Sequence, residues 1–399
     1  MGHSAGVISI GFLSTYPPTS CGLATFTAAL RGAIAYGRGS DDGLGVVRLV
    51  DNPIADAGPE VVYEHRNADP SSLQRAIKAL NQFDVAVVQH EFGIYGGADG
   101  EEVLGLLSDL DIPMIVTLHT VLTRPSSSQR SILENVSALA ERTVVMSDTA
   151  GRRLVNGYDV DPDSVRMIPH GAGTRLRGPS LANGARPVVL TWGLIGPGKG
   201  LEMAISAVAE LKDLHPVPRY VILGMVHPKV RASQGDAYLN GLISQASALG
   251  VGDIVEFDRR YLDLDSLALA VRQADVVMLP YESTEQVASG VLVEALAAGK
   301  PVIATAFPHA VELLSTGAGI VVPHRDPQAL TAALRLVLTQ PGHAAKMAAE
   351  ARRIAATLYW PAIAKKYDHM AEKLLARSRT TRQHGDFQVQ QKDYVAAAG

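Results

Sequence analysis

Ser289, Gly290 and Glu294 stand at a spacing that suits one chemical task. The apolar run Val276 to Leu279 reads as a buried strand, and Tyr281 to Ala288 as the polar loop after it. Ser289-Gly290 opens a helix that carries Leu292 and Glu294 and stops at Gly299, before Pro301 opens the next apolar strand. The first amides of such a helix lack intrahelical partners and suit phosphate oxygens. A carboxylate one turn further in suits the paired hydroxyls of a ribose. The combination describes a site for a nucleoside diphosphate.

A second motif, Thr191 to Glu202, has the same logic. A strand ends, a loop with Gly193, Gly196, Gly198 and Gly200 follows, and a helix starts near Leu201. Backbone amides together with the Lys199 ammonium would neutralise a diphosphate. Gly193 to Lys199 also has P-loop spacing, but Gly200 stands where the magnesium-holding Ser or Thr belongs. The dinucleotide fingerprint fails as well, with Leu201 in place of its third glycine. The plainest rival is a helix-start turn with no ligand.

In the N-terminal half, Cys21-Gly22 lies at the first strand–helix turn, where a glycine admits a ligand close to the backbone. A plain helix cap explains Gly22 equally well. His90-Glu91, His119 and His170 each follow an apolar strand, which places them along a sheet's carboxyl edge. We expect His119 first, then His90 and Glu91, to line a cleft. No His pair has metal-ligand spacing, and the pairs Asp161/Asp163 and Asp263/Asp265 read as caps before they read as manganese ligands, so no metal is expected. Cys21 is the only cysteine, which excludes an intrachain disulfide, and it reads as a small packing residue.

The elements that must hold these residues alternate along the chain. Strands are expected at Val7 to Leu13, Val46 to Val50, Val61 to His65, Val85 to Gln89, Met114 to Leu118, Thr143 to Met146 and Val165 to Ile168, with helices between them. A second series runs Val188 to Trp192, Tyr220 to Leu223, Ile254 to Phe257, Val276 to Leu279, Val302 to Ala304 and Ile320 to Val322. Such alternation predicts an α/β chain of two doubly wound, Rossmann-like domains facing a cleft. The domains are placed at 1–175 and 186–358, with the Gly/Pro-rich Ala172 to Arg186 as linker. A helix over 359–376 and a poorly ordered polar tail over 377–399 complete the chain. Hydrophobic content of 47% suffices for two cores, and a formal charge of −4 gives no reason to expect nucleic acid as partner. No membrane-length apolar run or signal peptide is read, so we expect a cytoplasmic protein with at most peripheral membrane contact.

These residues resemble the family-four retaining glycosyltransferases of GT-B fold, from about Val7 to Leu375 and most specifically over Gly290 to Thr305. The resemblance implies a nucleotide-diphosphate sugar as co-substrate, no cofactor or metal, and transfer of a hexosyl group, mannosyl or glucosyl, to a sugar or other hydroxyl acceptor. It assigns Glu294 to the ribose. Where the family carries a second glutamate, this chain has Gln286, with Glu285 adjacent. Lys199 matches the family's diphosphate lysine; its arginine is missing, and Arg259 or Arg260 stands nearest to replace it. His119 resembles the histidine that contacts the donor sugar, and Gly22 the glycine loop on the acceptor side. His119, Lys199 and Gln286 are thus the catalytic candidates; Gly193, Gly198, Arg259, Ser289, Gly290, Leu292 and Glu294 bind the donor. Gly22, His90, Glu91 and His170 fall to the acceptor side. The helix from Trp360 to Leu375 resembles one that crosses back to the N-terminal domain. A sugar phosphorylase, a nucleotide-sugar epimerase and a non-catalytic nucleotide-sugar-binding protein are the alternatives.

Overall fold

A computed structural model describes residues 7–54, 58–181 and 186–377. The chain forms two compact units. The first runs to Met146, resumes over Ala150–Ile168 and takes the chain from Pro361 onward; the second holds Ser147–Thr149 and Pro169–Trp360.

In the first unit the strands are β1 (Ile10–Ser14), β2 (Leu44–Val50), β3 (Val61–Arg66), β4 (Val85–His90), β5 (Met114–Leu118), β6 (Arg142–Val145) and β7 (Val165–Met167). The helices are α1 (Gly22–Arg38), α2 (Pro70–Leu80), α3 (Glu102–Ser108), α4 (Ser127–Leu139) and α5 (Asp148–Gly157). The sheet is parallel, in the order β3-β2-β1-β4-β5-β6-β7. Its central strands are buried and mostly apolar because helices cover both faces, with Ser14, Gln89, His90 and Thr117 as polar members near their carboxyl ends. Strand order reverses between β1 and β4, and the crevice at such a reversal is where ligands bind in open α/β sheets. The loops that carry Gly22 and Glu91 leave from these two strands.

A last helix, residues 360–377, packs within this unit; its Tyr367 hydroxyl lies 3.0 Å from Thr117 Oγ1 on β5. The tail beyond it, with Arg379 and Arg382, lies outside the described residues.

The second unit repeats the plan with β8 (Val188–Trp192), α6 (Leu201–Ala209), β9 (Arg219–Leu223), α7 (Pro228–Gln234), α8 (Ala237–Ala248), β10 (Val255–Asp258), α9 (Leu264–Gln273) and β11 (Val276–Leu279). It continues with α10 (Gly290–Ala297), β12 (Val302–Thr305), α11 (Pro308–Leu314), β13 (Gly319–Val322), α12 (Pro327–Thr339) and α13 (Pro341–Ala355). The order β10-β9-β8-β11-β12-β13 reverses between β8 and β11. Val188, Leu190 and Trp192 pack with α10 on one face, while Val189 packs with α6 and α8 on the other. The two glycine-bearing motifs leave from β8 and β11, so both stand at the reversal. Helix α7 buries none of its residues and therefore has no apolar stripe by which to be read.

The segment read as a linker packs on the second unit. Leu176 joins the core beside Val271, and the Leu181 amide donates to Arg272 O at 2.9 Å. Residues 182–185, Gly184 among them, lie outside the described residues. Lys300 fastens this segment: its Nζ donates to Ser180 Oγ, Arg272 O and Ala274 O, each at 2.7 Å. Burial pulls the Lys300 pKa down to about 8, and three acceptors meet its three N–H groups. Lys300→Met strands the Ala274 carbonyl at the end of α9, whereas Arg272 O keeps the Leu181 amide. The expected loss is about 1–3 kcal/mol, read by calorimetry at pH 7 as a melting point lower by about 2–4 °C per kcal/mol. An unchanged melting point would show that solvent reaches that carbonyl.

Candidate functional site

The second unit builds its site from two strand ends. After β8 the chain turns through Gly193 and Gly198, both at positive φ, and reaches Lys199. Gly200 follows at φ 66°, and a Cβ there would stand 1.8 Å from Pro280 O. Only glycine fits that position, which explains why the P-loop Ser or Thr is absent. The loop after β11 then binds back, with the Glu282 amide donating to Gly198 O at 3.0 Å.

Lys199 extends over the Tyr281 ring, with Nζ 4.5 Å from its centroid. Burial lowers the Lys199 pKa, and no carboxylate among the described residues opposes that shift. Tyr281 stacks on Phe307 at 5.3 Å and is fully buried, and the Glu294 carboxylate adds to the rise in its pKa. Lys199 and Glu294 thus share Tyr281 as a neighbour.

Glu294 lies in the second turn of α10, where Oε2 accepts from Trp192 Nε1 at 3.3 Å. Burial raises its pKa to about 7, against the smaller opposing effect of the Trp192 bond. Ser289 caps the helix by accepting from the Leu292 amide at 3.3 Å. Leu292 itself must be corrected as a donor-binding residue. Its side chain is buried in the core and its amide is spent on the cap. The amides of Gly290 and Val291 are the ones a helix start leaves for a ligand.

His309, which the sequence reading missed, sets this helix start. Its Nδ1 accepts from the Ser289 amide at 2.9 Å, and its own amide donates to Gln286 O at 3.2 Å. Burial pushes its pKa down to about 4, so the ring stays neutral and keeps that lone pair. Gln286 is half-buried, with Nε2 donating to Ala288 O at 3.1 Å. Arg260 is bound to Asp258 through Nε at 2.8 Å and Nη2 at 2.6 Å, whereas Arg259 is exposed, which makes Arg259 the more available of the two.

His170 was placed at the end of the first domain's last strand. That strand ends at Met167, and His170 belongs to the second unit. A Cβ on Gly290 would meet its ring at 2.9 Å, so the ring closes on the start of α10. Burial pushes its pKa down to about 4.

The first unit gathers its own set at the β1/β4 reversal. Gly22 begins α1, and a Cβ there would meet nothing within 4 Å. No contact among the described residues demands glycine at that point. Cys21 caps the helix with Sγ 3.4 Å from the Ala24 amide. His119 Nε2 is 2.8 Å from Gln89 Oε1, and its ring stands edge-on to Phe26 at 4.9 Å. Glu91 accepts from the Phe92 amide at 3.0 Å and from Thr120 Oγ1 at 2.6 Å, which joins the loops after β4 and β5. Burial raises its pKa. His90 departs from the expectation of a ligand contact: it is 1% exposed, packed by Phe92 and Tyr95, with its pKa pushed to about 4 by burial. It supports the loop from beneath. The aspartate pairs act as caps, Asp161 for the turn at Pro162–Ser164 and Asp263 for α9.

With this geometry in place, two family models divide the chain. Residues 33–175 match the one described as Glycosyltransferase Family 4, and residues 174–354 the one described as Glycosyl transferases group 1. Together they mark residues 33–354 as family-four-like glycosyltransferase sequence. Among curated relatives, the D-inositol 3-phosphate glycosyltransferase of Acidothermus cellulolyticus is 30% identical over 62% of this chain and 59% of its own length. The protein of the same name from Geodermatophilus obscurus is 28% identical over 82% of this chain and 80% of its own. The alignment thus spans about three-fifths of the first relative. Among solved structures, Anabaena HepE in complex with UDP matches with a TM-score of 0.72 at 18% identity, over 92% of this chain and all of the other. Sucrose-phosphate synthase from Thermosynechococcus elongatus matches with a TM-score of 0.70 at 20% identity, over 92% and 100%. These likenesses establish the fold, two Rossmann-like units of the GT-B class. No described helix is long and apolar enough to cross a membrane.

Proposed function

We propose that this glycosyltransferase moves a hexosyl group, with retention and without a metal, from a nucleotide-diphosphate sugar to a hydroxyl acceptor. The observation that carries the reading is Lys199: a desolvated ammonium over Tyr281, without a carboxylate partner among the described residues, at the same sheet reversal as the start of α10. A diphosphate supplies the missing negative charge, and Glu294 takes the ribose hydroxyls.

In the step itself the bond from C1 of the sugar to the diphosphate oxygen breaks, and the acceptor oxygen bonds to C1 on the same face. The departing diphosphate oxygen takes the acceptor's proton. Lys199 and the α10 amides stabilise the charge that develops on the leaving group. Gln286 offers its amide oxygen to a sugar hydroxyl. In the first unit His119 is the candidate for contact with the reacting sugar, and the loops at Gly22 and Glu91 are assigned to the acceptor. The solved structure of HepE with UDP supports a uridine donor as the first to try, and the relatives' name makes an inositol phosphate the first acceptor.

A thermal-shift screen with UDP-, GDP- and ADP-sugars tests the donor. A ligand at 100 times its Kd stabilises by about 2.7 kcal/mol, a rise of several degrees. No rise with any of them would sink the reading. Turnover followed by proton NMR of the product's anomeric coupling then decides retention. Donor binding without turnover across an acceptor panel would leave a nucleotide-sugar-binding protein.

A further inference from the structure

One row of side chains across the first unit's sheet is polar within an otherwise apolar layer. The register pairs Glu64 on β3 with Arg48 on β2, Arg48 with Ser14 on β1, and Gln89 on β4 with Thr117 on β5. The pairing of Leu13 with Val88 sets Ser14 beside Gln89. Residues in register share a face of the sheet, so the five form one line. Arg48, Ser14, Gln89 and Thr117 are all fully buried. Polar groups in such a layer are costly unless bonded. Arg48 donates to the strand-end segments at Pro17 O, 3.0 Å, and Ile54 O, 3.3 Å, and Thr117 meets Tyr367 on the last helix, whereas Ser14 Oγ and Gln89 Nε2 have no partner among the described residues.

Gln89 is the member that reaches the candidate site. Its side-chain Oε1 lies 2.8 Å from His119 Nε2, and its backbone oxygen accepts from the Tyr95 hydroxyl at 2.6 Å. The His119 backbone is pinned as well, with its amide donating to His90 O at 3.0 Å. A carboxamide oxygen only accepts. Its place at Nε2 puts the proton of the neutral imidazole there and the lone pair on Nδ1.

We propose that Gln89 is a positioning residue for the transfer reaction: it fixes the orientation of His119 and holds it as the Nε2–H tautomer. The inference rests on the role given to His119 above, whereas the tautomer does not.

The test uses the full chain labelled with ¹⁵N-histidine. A His119→Asn variant assigns the His119 ring signals, and long-range proton–nitrogen correlation spectra read its tautomer. Wild type is expected to show Nε2–H. Gln89→Leu removes the acceptor and is expected to give mixed tautomers, with kcat lower by about tenfold, the scale of losing a functional histidine's outer partner, and donor KM unchanged within about twofold. Gln89→Glu keeps an acceptor at Nε2 and is expected to restore the Nε2–H signature. Melting curves confirm that each variant folds, and Gln89→Met stands in should the leucine variant fail. An Nδ1–H ring in wild type overturns the proposal, as does a leucine variant with tautomer and kcat both unchanged. A switched tautomer with unchanged kcat overturns it through the reading it rests on, because His119 then plays no part in transfer.

Discussion

Replacing Lys199 with methionine lowers affinity for a nucleoside diphosphate about 10- to 100-fold and leaves the unliganded protein at least as stable as before. The affinity loss follows from removing a charged hydrogen bond to phosphate, about 1.5–3 kcal/mol. The stability result follows from the site. Lys199 is held in a desolvated position without a carboxylate among the described residues to offset the cost. Methionine keeps the aliphatic length over Tyr281 and removes that cost. Isothermal titration with UDP, GDP and ADP, beside calorimetric melting, reads both quantities. Affinity within about twofold of wild type would mean that the diphosphate lies elsewhere, and the functional proposal would fall with it.

Glu294→Gln should split stability from binding, in a pH-dependent way. Burial raises the Glu294 pKa from 4.5 to about 7, so between those values the folded protein holds a proton that the unfolded chain has released. Stability contributed by this group therefore falls as pH rises through that window, and above about pH 7 the folded state carries the whole cost of a buried carboxylate, up to about 3 kcal/mol. Glutamine does not titrate and still accepts from Trp192. The variant should match wild type near pH 4.5 and melt at a higher temperature at pH 8. Binding runs the other way. A ribose diol donates best to an ionised carboxylate, so wild-type affinity for a nucleoside diphosphate should rise with pH up to about 7 and then level off. The glutamine variant should bind about tenfold more weakly at pH 8 and lose that rise. Melting curves and titrations at pH 5, 6, 7 and 8 would check both arms (buffer values chosen to span the window about the Glu294 pKa). A flat wild-type binding profile would remove Glu294 from the ribose.

Both motif-bearing strand ends of the second unit were legible in the sequence, because strand, glycine loop and helix start are written in consecutive residues. Val188–Trp192 and Val276–Leu279 are strands with the bounds read from their apolar runs. The same reading took Gly200 only as a mismatch to the P-loop pattern, and the close approach of Pro280 O, 80 positions further along the sequence, is what excludes a side chain there. His309 carried no local signal. Its bond to the Ser289 amide joins residues 20 apart, across a helix, a turn and a strand. Leu292 shares a motif with Glu294, yet rotation about the helix axis turns it into the core while Glu294 meets Trp192.

The amino-acid order by itself determined the alternating elements, the two phosphate-suited helix starts and the family resemblance, since each depends on neighbours along the chain. Only the tertiary structure decided that Lys199 lacks a counter-charge among the described residues, that the Glu294 pKa sits near 7, and that His170 closes on Gly290 rather than ending the first sheet. Charge state and partnership are set by desolvation and by contacts between distant segments, and neither quantity exists until the chain has packed.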